Sequence, residues 1–186
     1  MQKIVLNLKK QSGMTLTESL LVLGVGALVA VLAYGGYKMA TENVKSGSQI
    51  NGTIQLVGSI KRVFGPGSTY TPVTLANVVN ANIVPSDFRA DSTPSITNSW
   101  GGNIVPAVGN QAGTTPTSQF KLTISGVSKE SCMDFVAGIA SSATSLWVNG
   151  TTAGTHDVKP IGGAYDATRA SVQCNSGPGD IILVSQ

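Results

Sequence analysis

Glu18 places a carboxylate at the mouth of a charge-free apolar run, Ser19 to Tyr37, with Lys3, Lys9 and Lys10 on the other side of it. An ordinary secretory signal, cut near Val31-Leu32-Ala33, gives that acid nothing to do, and neither does a permanent single-pass anchor. An acid at the centre of a membrane helix costs about 2.5–3.5 kcal/mol on insertion scales, less near its end. Scission between Gly13 and Met14 gives Glu18 a role. It creates an amine at Met14, four residues before Glu18, and puts the acid in the first turn of a helix, where the macrodipole favours an anion. Within one chain the pairing is awkward. Between parallel helices shifted along their axes, Glu18 of one subunit reaches the Met14 amine of another. An unpaired carboxylate in an apolar bundle is costly, so the pair selects axial register.

The remaining reactive residue types are sparse. Cys132 and Cys174 form no C-x-x-C arrangement. Behind an export segment they read as one structural disulfide, adding about 4 kcal/mol in the chain-entropy treatment; the alternative is two unrelated buried thiols. With His156 the sole histidine, a Cys/His zinc site of the usual ligand count is not available, and no metal or cofactor is expected. His156-Asp157 among many hydroxyl residues sketches a triad, but no G-x-S-x-G elbow accompanies it and no enzyme is expected. Trp100 and Trp147 read as packing aromatics rather than ligand platforms.

Charge excludes another class. The net charge is +3, but Lys3, Lys9 and Lys10 account for the excess, and the remaining Lys and Arg equal the nine Asp and Glu. No basic stripe with interleaved aromatics exists, so no nucleic-acid binding is expected. Charged residues make up only 11% of 186 residues and Gly is abundant, a composition suited to an ordered extracellular or assembly protein.

The element that positions Glu18 is a helix. The nineteen residues from Ser19 to Tyr37 extend about 28 Å as a helix, enough to span a bilayer core. The lysines before the run stay cytoplasmic and send the C-terminal bulk outward. Beyond Tyr37 the helical period continues: Ile50, Ile54, Val57, Ile60 and Phe64 give one apolar stripe, and Gly65-Pro66-Gly67 ends it. Gly24, Gly26, Gly35, Gly36, Gly47 and Gly52 each lower helix propensity by about 1 kcal/mol relative to Ala. Close helix packing or a helix that stretches on assembly explains them, packing being favoured.

From Ser68 onward short apolar runs alternate with Thr, Ser, Asn, Gly and Pro. Leu75 to Val79, Ser128 to Ala140 (capped by Ser128) and Asp166 to Cys174 read as helices. Asn103 to Val105, Phe120 to Ile124, Leu146 to Val148 and Ile181 to Val184 read as strands. The fold class is α+β: a long N-terminal helix packed on a disulfide-closed head with an antiparallel sheet.

The stretch Lys9-Lys10-Gln11-Ser12-Gly13-Met14-Thr15-Leu16-Thr17-Glu18-Ser19-Leu20 resembles a type IV prepilin, and Met14 after the glycine resembles the type IVb subclass. In the head, Ile96-Thr97-Asn98-Ser99-Trp100-Gly101-Gly102 resembles the turn that leads into the type IVb sheet, although its Trp100 and the Gly65 to Tyr70 loop depart from the pattern. The resemblance implies cleavage at Gly13 by a membrane prepilin peptidase, N-methylation of Met14, subunit registration by Glu18 and a head closed by Cys132 and Cys174. It divides the chain into a leader (1–13), a hydrophobic helix (14–37), an amphipathic half (38–64) and a head (65–186). The implied partners are copies of itself in a helical homopolymer, the peptidase, the inner-membrane assembly machinery and, before assembly, the membrane. The implied location is the inner membrane and then an extracellular filament of a Gram-negative bacterium. A major pilin is the leading expectation, with a minor pilin, a secretion pseudopilin or an anchored surface-binding module as alternatives.

Overall fold

The computed structural model describes residues 15–67, 69–91, 94–109, 117–177 and 179–186. They fall into two compact units, one ending at Ala40 and the other running from Thr41 to Gln186. Helix α1, Leu16–Phe64, contributes to both, and Gly65–Gly67 closes it in a 3-10 turn. In the first unit the side chains from 20 to 40 are all exposed.

In the second unit a five-stranded antiparallel sheet carries the core. Its strands are β3 Ile104–Val108, β4 Phe120–Ile124, β5 Ser145–Val148, β6 Asp157–Lys159 and β7 Ile181–Ser185, ordered β3-β4-β7-β5-β6. A small hairpin, β1 Arg89–Asp91 with β2 Ser95–Thr97, precedes it. The helices are α2 Leu75–Asn80, α3 Lys129–Ile139 and α4 Ala167–Asn175. Each begins at a side-chain cap that accepts an otherwise orphaned backbone N–H: Thr74 from Asn77, Ser128 from Ser131 and Asp166 from Arg169.

Alternation along β4 buries Phe120, Leu122 and Ile124 and turns Lys121 and Thr123 outward. These residues join Leu146, Ile181, Leu183, Phe135 and Ile139 with Leu56 and Ile60 of α1 in one core. The expected strands and helices of the head all form. The sequence reading missed β1, β2 and β6, which at three residues each are too short to show a period.

The expected stripe on α1 needs a correction. Val57 and Ile60 are buried, and Ile50 and Phe64 pack against the core, but Ile54 is exposed. The buried face instead runs Ser46, Gln49, Gly52, Thr53, Leu56, Val57 and Ile60. Its first part is polar, and Gln49 there meets polar groups: its Nε2 donates to the Asp87 carbonyl (3.2 Å) and to Ser99 Oγ (2.9 Å). Close packing within the chain accounts for one of the six glycines named above. A Cβ at Gly52 would meet the Phe88 ring at 3.0 Å, whereas Gly24, Gly26, Gly35, Gly36 and Gly47 have nothing within 4 Å.

Candidate assembly site

The first described turn of α1 is a capped one. The Glu18 N–H donates to Thr15 Oγ1 (3.3 Å) and the Ser19 N–H to the Thr15 carbonyl (3.1 Å). Thr15 is therefore the N-cap and Glu18 stands three residues into the helix, the spacing of a capping box. Glu18 is exposed and is the acid of the first turn, where the helix dipole favours it. Gly13 and Met14 lie outside the described residues. Sequence reasoning placed the acid in that turn but missed Thr15, although T-x-x-E is legible in the sequence.

From Leu20 the surface of the first unit is apolar all round. Leu20, Leu21, Leu23, Leu28, Val31 and Leu32 are all at least 60% exposed. Such a surface is not stable in water and demands either lipid or another apolar surface. Among the described residues, α1 is the one helix long and apolar enough to cross a membrane.

The second unit holds a node that sequence reasoning did not find. Glu42 Oε2 accepts from Trp100 Nε1 (3.2 Å), Ser128 Oγ (2.9 Å) and Ser131 Oγ (3.0 Å), and Lys45 Nζ lies 3.2 Å from Oε1. Ser128 is the cap of α3 and Ser131 is in its first turn, so the carboxylate also lies by the positive end of that helix. The hydrogen bond from Ser128, reinforced by Lys45, Ser131 and Trp100 against the opposing cost of burial, lowers the Glu42 pKa to about 2.

The turn that delivers Trp100 has its own logic. Asn98 Oδ1 accepts from the N–H groups of Trp100 and Gly102, and Asn98 Nδ2 donates to the Ser125 carbonyl (2.8 Å). Gly101 takes φ +84°, and a Cβ at Gly102 would lie 1.9 Å from the Ser125 carbonyl oxygen. The Asn and both glycines are thus required by geometry. The Trp100 ring packs edge-on against Phe135 of α3, with centroids 5.3 Å apart, as expected for a packing aromatic.

Because the Glu42 pKa is depressed on folding, its contribution to stability is complete above about 4.5 and is lost as pH falls through about 2. Glu42→Gln is expected to lower the stability of the second unit by about 2 kcal/mol at neutral pH, the scale of hydrogen bonds to a charged group. The gap between variant and wild type should close on acidification through that window. Thermal melts at pH 7 and pH 2 measure it; an equal gap at both would refute the assignment.

Cys132 of α3 and Cys174 of α4 form a disulfide, Cα atoms 5.6 Å apart, across a sequence separation of 42. His156 and Asp157 are engaged separately. The His156 ring Nδ1 lies 3.0 Å from the Val148 carbonyl, and Arg169 binds the Asp157 carboxylate at 2.9 Å. Among the described residues no group of three or more His, Cys, Asp or Glu could hold a metal ion.

A family model described as PilS N terminal matches residues 37–186. The chain belongs to that family. Its relatives are pilins. The major structural subunit of bundle-forming pilus from Escherichia coli O127:H6 (strain E2348/69 / EPEC) is 24% identical over 170 residues, 90% of this chain and 84% of the relative. Its counterpart from Escherichia coli O111:H- is 25% identical over 148 residues, 78% of this chain and 74% of the relative. The crystal structure of a type IV b pilin from Salmonella typhi superposes with a TM-score of 0.53 at 16% identity, covering 75% of this chain and 97% of that one. TcpA, a type IV pilin from Vibrio cholerae El Tor biotype, gives 0.50 at 12%, covering 74% and 98%. This chain is a pilin structural subunit with the fold of a type IVb pilin. In this pilin, Glu42 and the Asn98 turn join the start of the second unit to helix α3.

Proposed function

We propose that the chain is the major subunit of an extracellular type IVb pilus, made as a membrane-anchored precursor and polymerised through α1. Cleavage between Gly13 and Met14 by a prepilin peptidase, methylation of the Met14 amine, and transfer of the apolar helix from lipid into a helical bundle by an inner-membrane assembly machinery make up its route. Glu18 then pairs with the Met14 amine of a neighbouring subunit and sets axial register. The finished filament supports adhesion, aggregation or cell–cell contact through its heads.

The observation that carries this reading is the joining of two unlike surfaces in one chain. The head closes its own core with a bridge and capped helices, while the side chains from 20 to 40 are left exposed. Intact-mass and N-terminal peptide measurements on purified filaments are expected to find Met14 first and bearing one added methyl group, with this chain the dominant component. A retained leader or a new end near Ala33 would overturn the processing, and a trace amount of the chain would overturn the major-subunit role.

A further inference from the structure

We propose that Tyr34 and Tyr37 form a depth anchor for the precursor, seated in the phospholipid interface on the head's side of the membrane. The inference rests on the reading that the apolar segment lies in lipid before assembly. The two are the only aromatic residues between Thr15 and Ala40, and both are highly exposed, at 71% and 72%. Three positions apart on a helix, they share a face. At 1.5 Å per residue they stand about 22 Å and 27 Å along the axis from Ser19, and the bilayer core is about 30 Å thick. With Glu18 at the near edge, Tyr37 therefore comes close to the far edge and Tyr34 lies less than one helical turn before it, and Lys38 follows as the first charge after the run.

The chemistry suits that depth. A phenol has an apolar body and a polar tip, and tyrosine concentrates at the headgroup level for that reason. From Leu20 onward the run otherwise offers only aliphatic, Gly and Ala side chains, which fix no depth: a helix of these alone slides and tilts at a cost of fractions of a kcal/mol per Å. The tyrosines supply the stop. They hold Ala40 at the water boundary and leave the head, which begins at Thr41, outside the acyl chains.

Thiol labelling tests the anchor in the full chain, because both native cysteines are in the bridge. Single substitutions Ala30→Cys, Ala33→Cys, Gly36→Cys and Ala40→Cys are placed in proteoliposomes of phosphatidylethanolamine and phosphatidylglycerol and exposed to a membrane-impermeant maleimide. The expected result is protection at positions 30 and 33 and labelling at position 40. Adding Tyr34→Leu with Tyr37→Leu should let the longer apolar run sink, cutting labelling of the Ala40→Cys thiol at least about threefold. An unchanged boundary in that background overturns the anchor while leaving the membrane reading intact. Protection of position 40 in the proteoliposomes themselves, with both tyrosines present, also overturns it. Release of the full chain from vesicles at alkaline pH would instead overturn the membrane reading on which the anchor rests.

Discussion

Glu18→Ala is expected to be cleaved and methylated at near wild-type levels while filament yield falls at least about tenfold. An intersubunit contact worth only about 1.4 kcal/mol is already a factor of ten in an equilibrium constant, and leaving a charged partner unpaired in an apolar bundle costs about 3–5 kcal/mol. The capped turn supplies a competing account, because an acid three residues after Thr15 can serve the helix start alone. Glu18→Gln separates the two. Glutamine fits a capping box but cannot form an ion pair with the Met14 amine, so the register account expects Gln to fail as Ala does. Filament yield restored by Gln would show that the cap, and not the charge, is what assembly needs. Immunoblots of precursor and mature chain beside the yield of sheared filaments give both readouts.

The second large effect belongs to the bridge. Replacing Cys132 and Cys174 together by Ser is expected to lower head stability by about 4 kcal/mol, from the loop-closure entropy of the 42-position separation. For a unit of this size that is roughly a 10 °C fall in Tm. The double replacement avoids a lone thiol and so reports the loss of the cross-link. Calorimetry of the detergent-solubilised chain measures it, and an unchanged Tm would mean that Glu42 and the α3–α4 packing hold the head without the bridge.

Much of this was written locally in the sequence. The strands β3, β4, β5 and β7 and the helices α2, α3 and α4 carry alternation or a hydroxyl or acid cap within a few residues, and so could be placed without partners. The apolar half of α1 was legible for the same reason. The polar half of its buried face was not. Ser46, Gln49 and Thr53 are buried although polar, Gln49 with the Asp87 carbonyl and Ser99 facing it, and hydrophobic period alone selected Ile54, which the structure exposes. Glu42 was invisible for a stronger reason: the three donors to its Oε2 lie 58, 86 and 89 positions away, beyond any local spacing. The Asn98 turn sits between these cases. Its residues stand out as a motif, but what requires them is Ser125, whose carbonyl lies against Gly102 and accepts from Asn98.

The strand order has a consequence for when the head can close. β3 and β4 pair along one length of chain and β5 and β6 along another, yet these two hairpins touch only through β7, which lies between them. A chain threaded across a membrane from its N-terminal side delivers both hairpins before the strand that unites them. Until Ile181–Ser185 arrives, β4 and β5 each present an open edge, the geometry that invites pairing with another chain. On the proposed export route Cys174 also emerges late, so oxidation and sheet closure would fall within the same final interval. In the proposed membrane-anchored precursor, tethering by the apolar helix during that interval would keep each half-built head close to the bilayer surface, where its missing strand is also emerging.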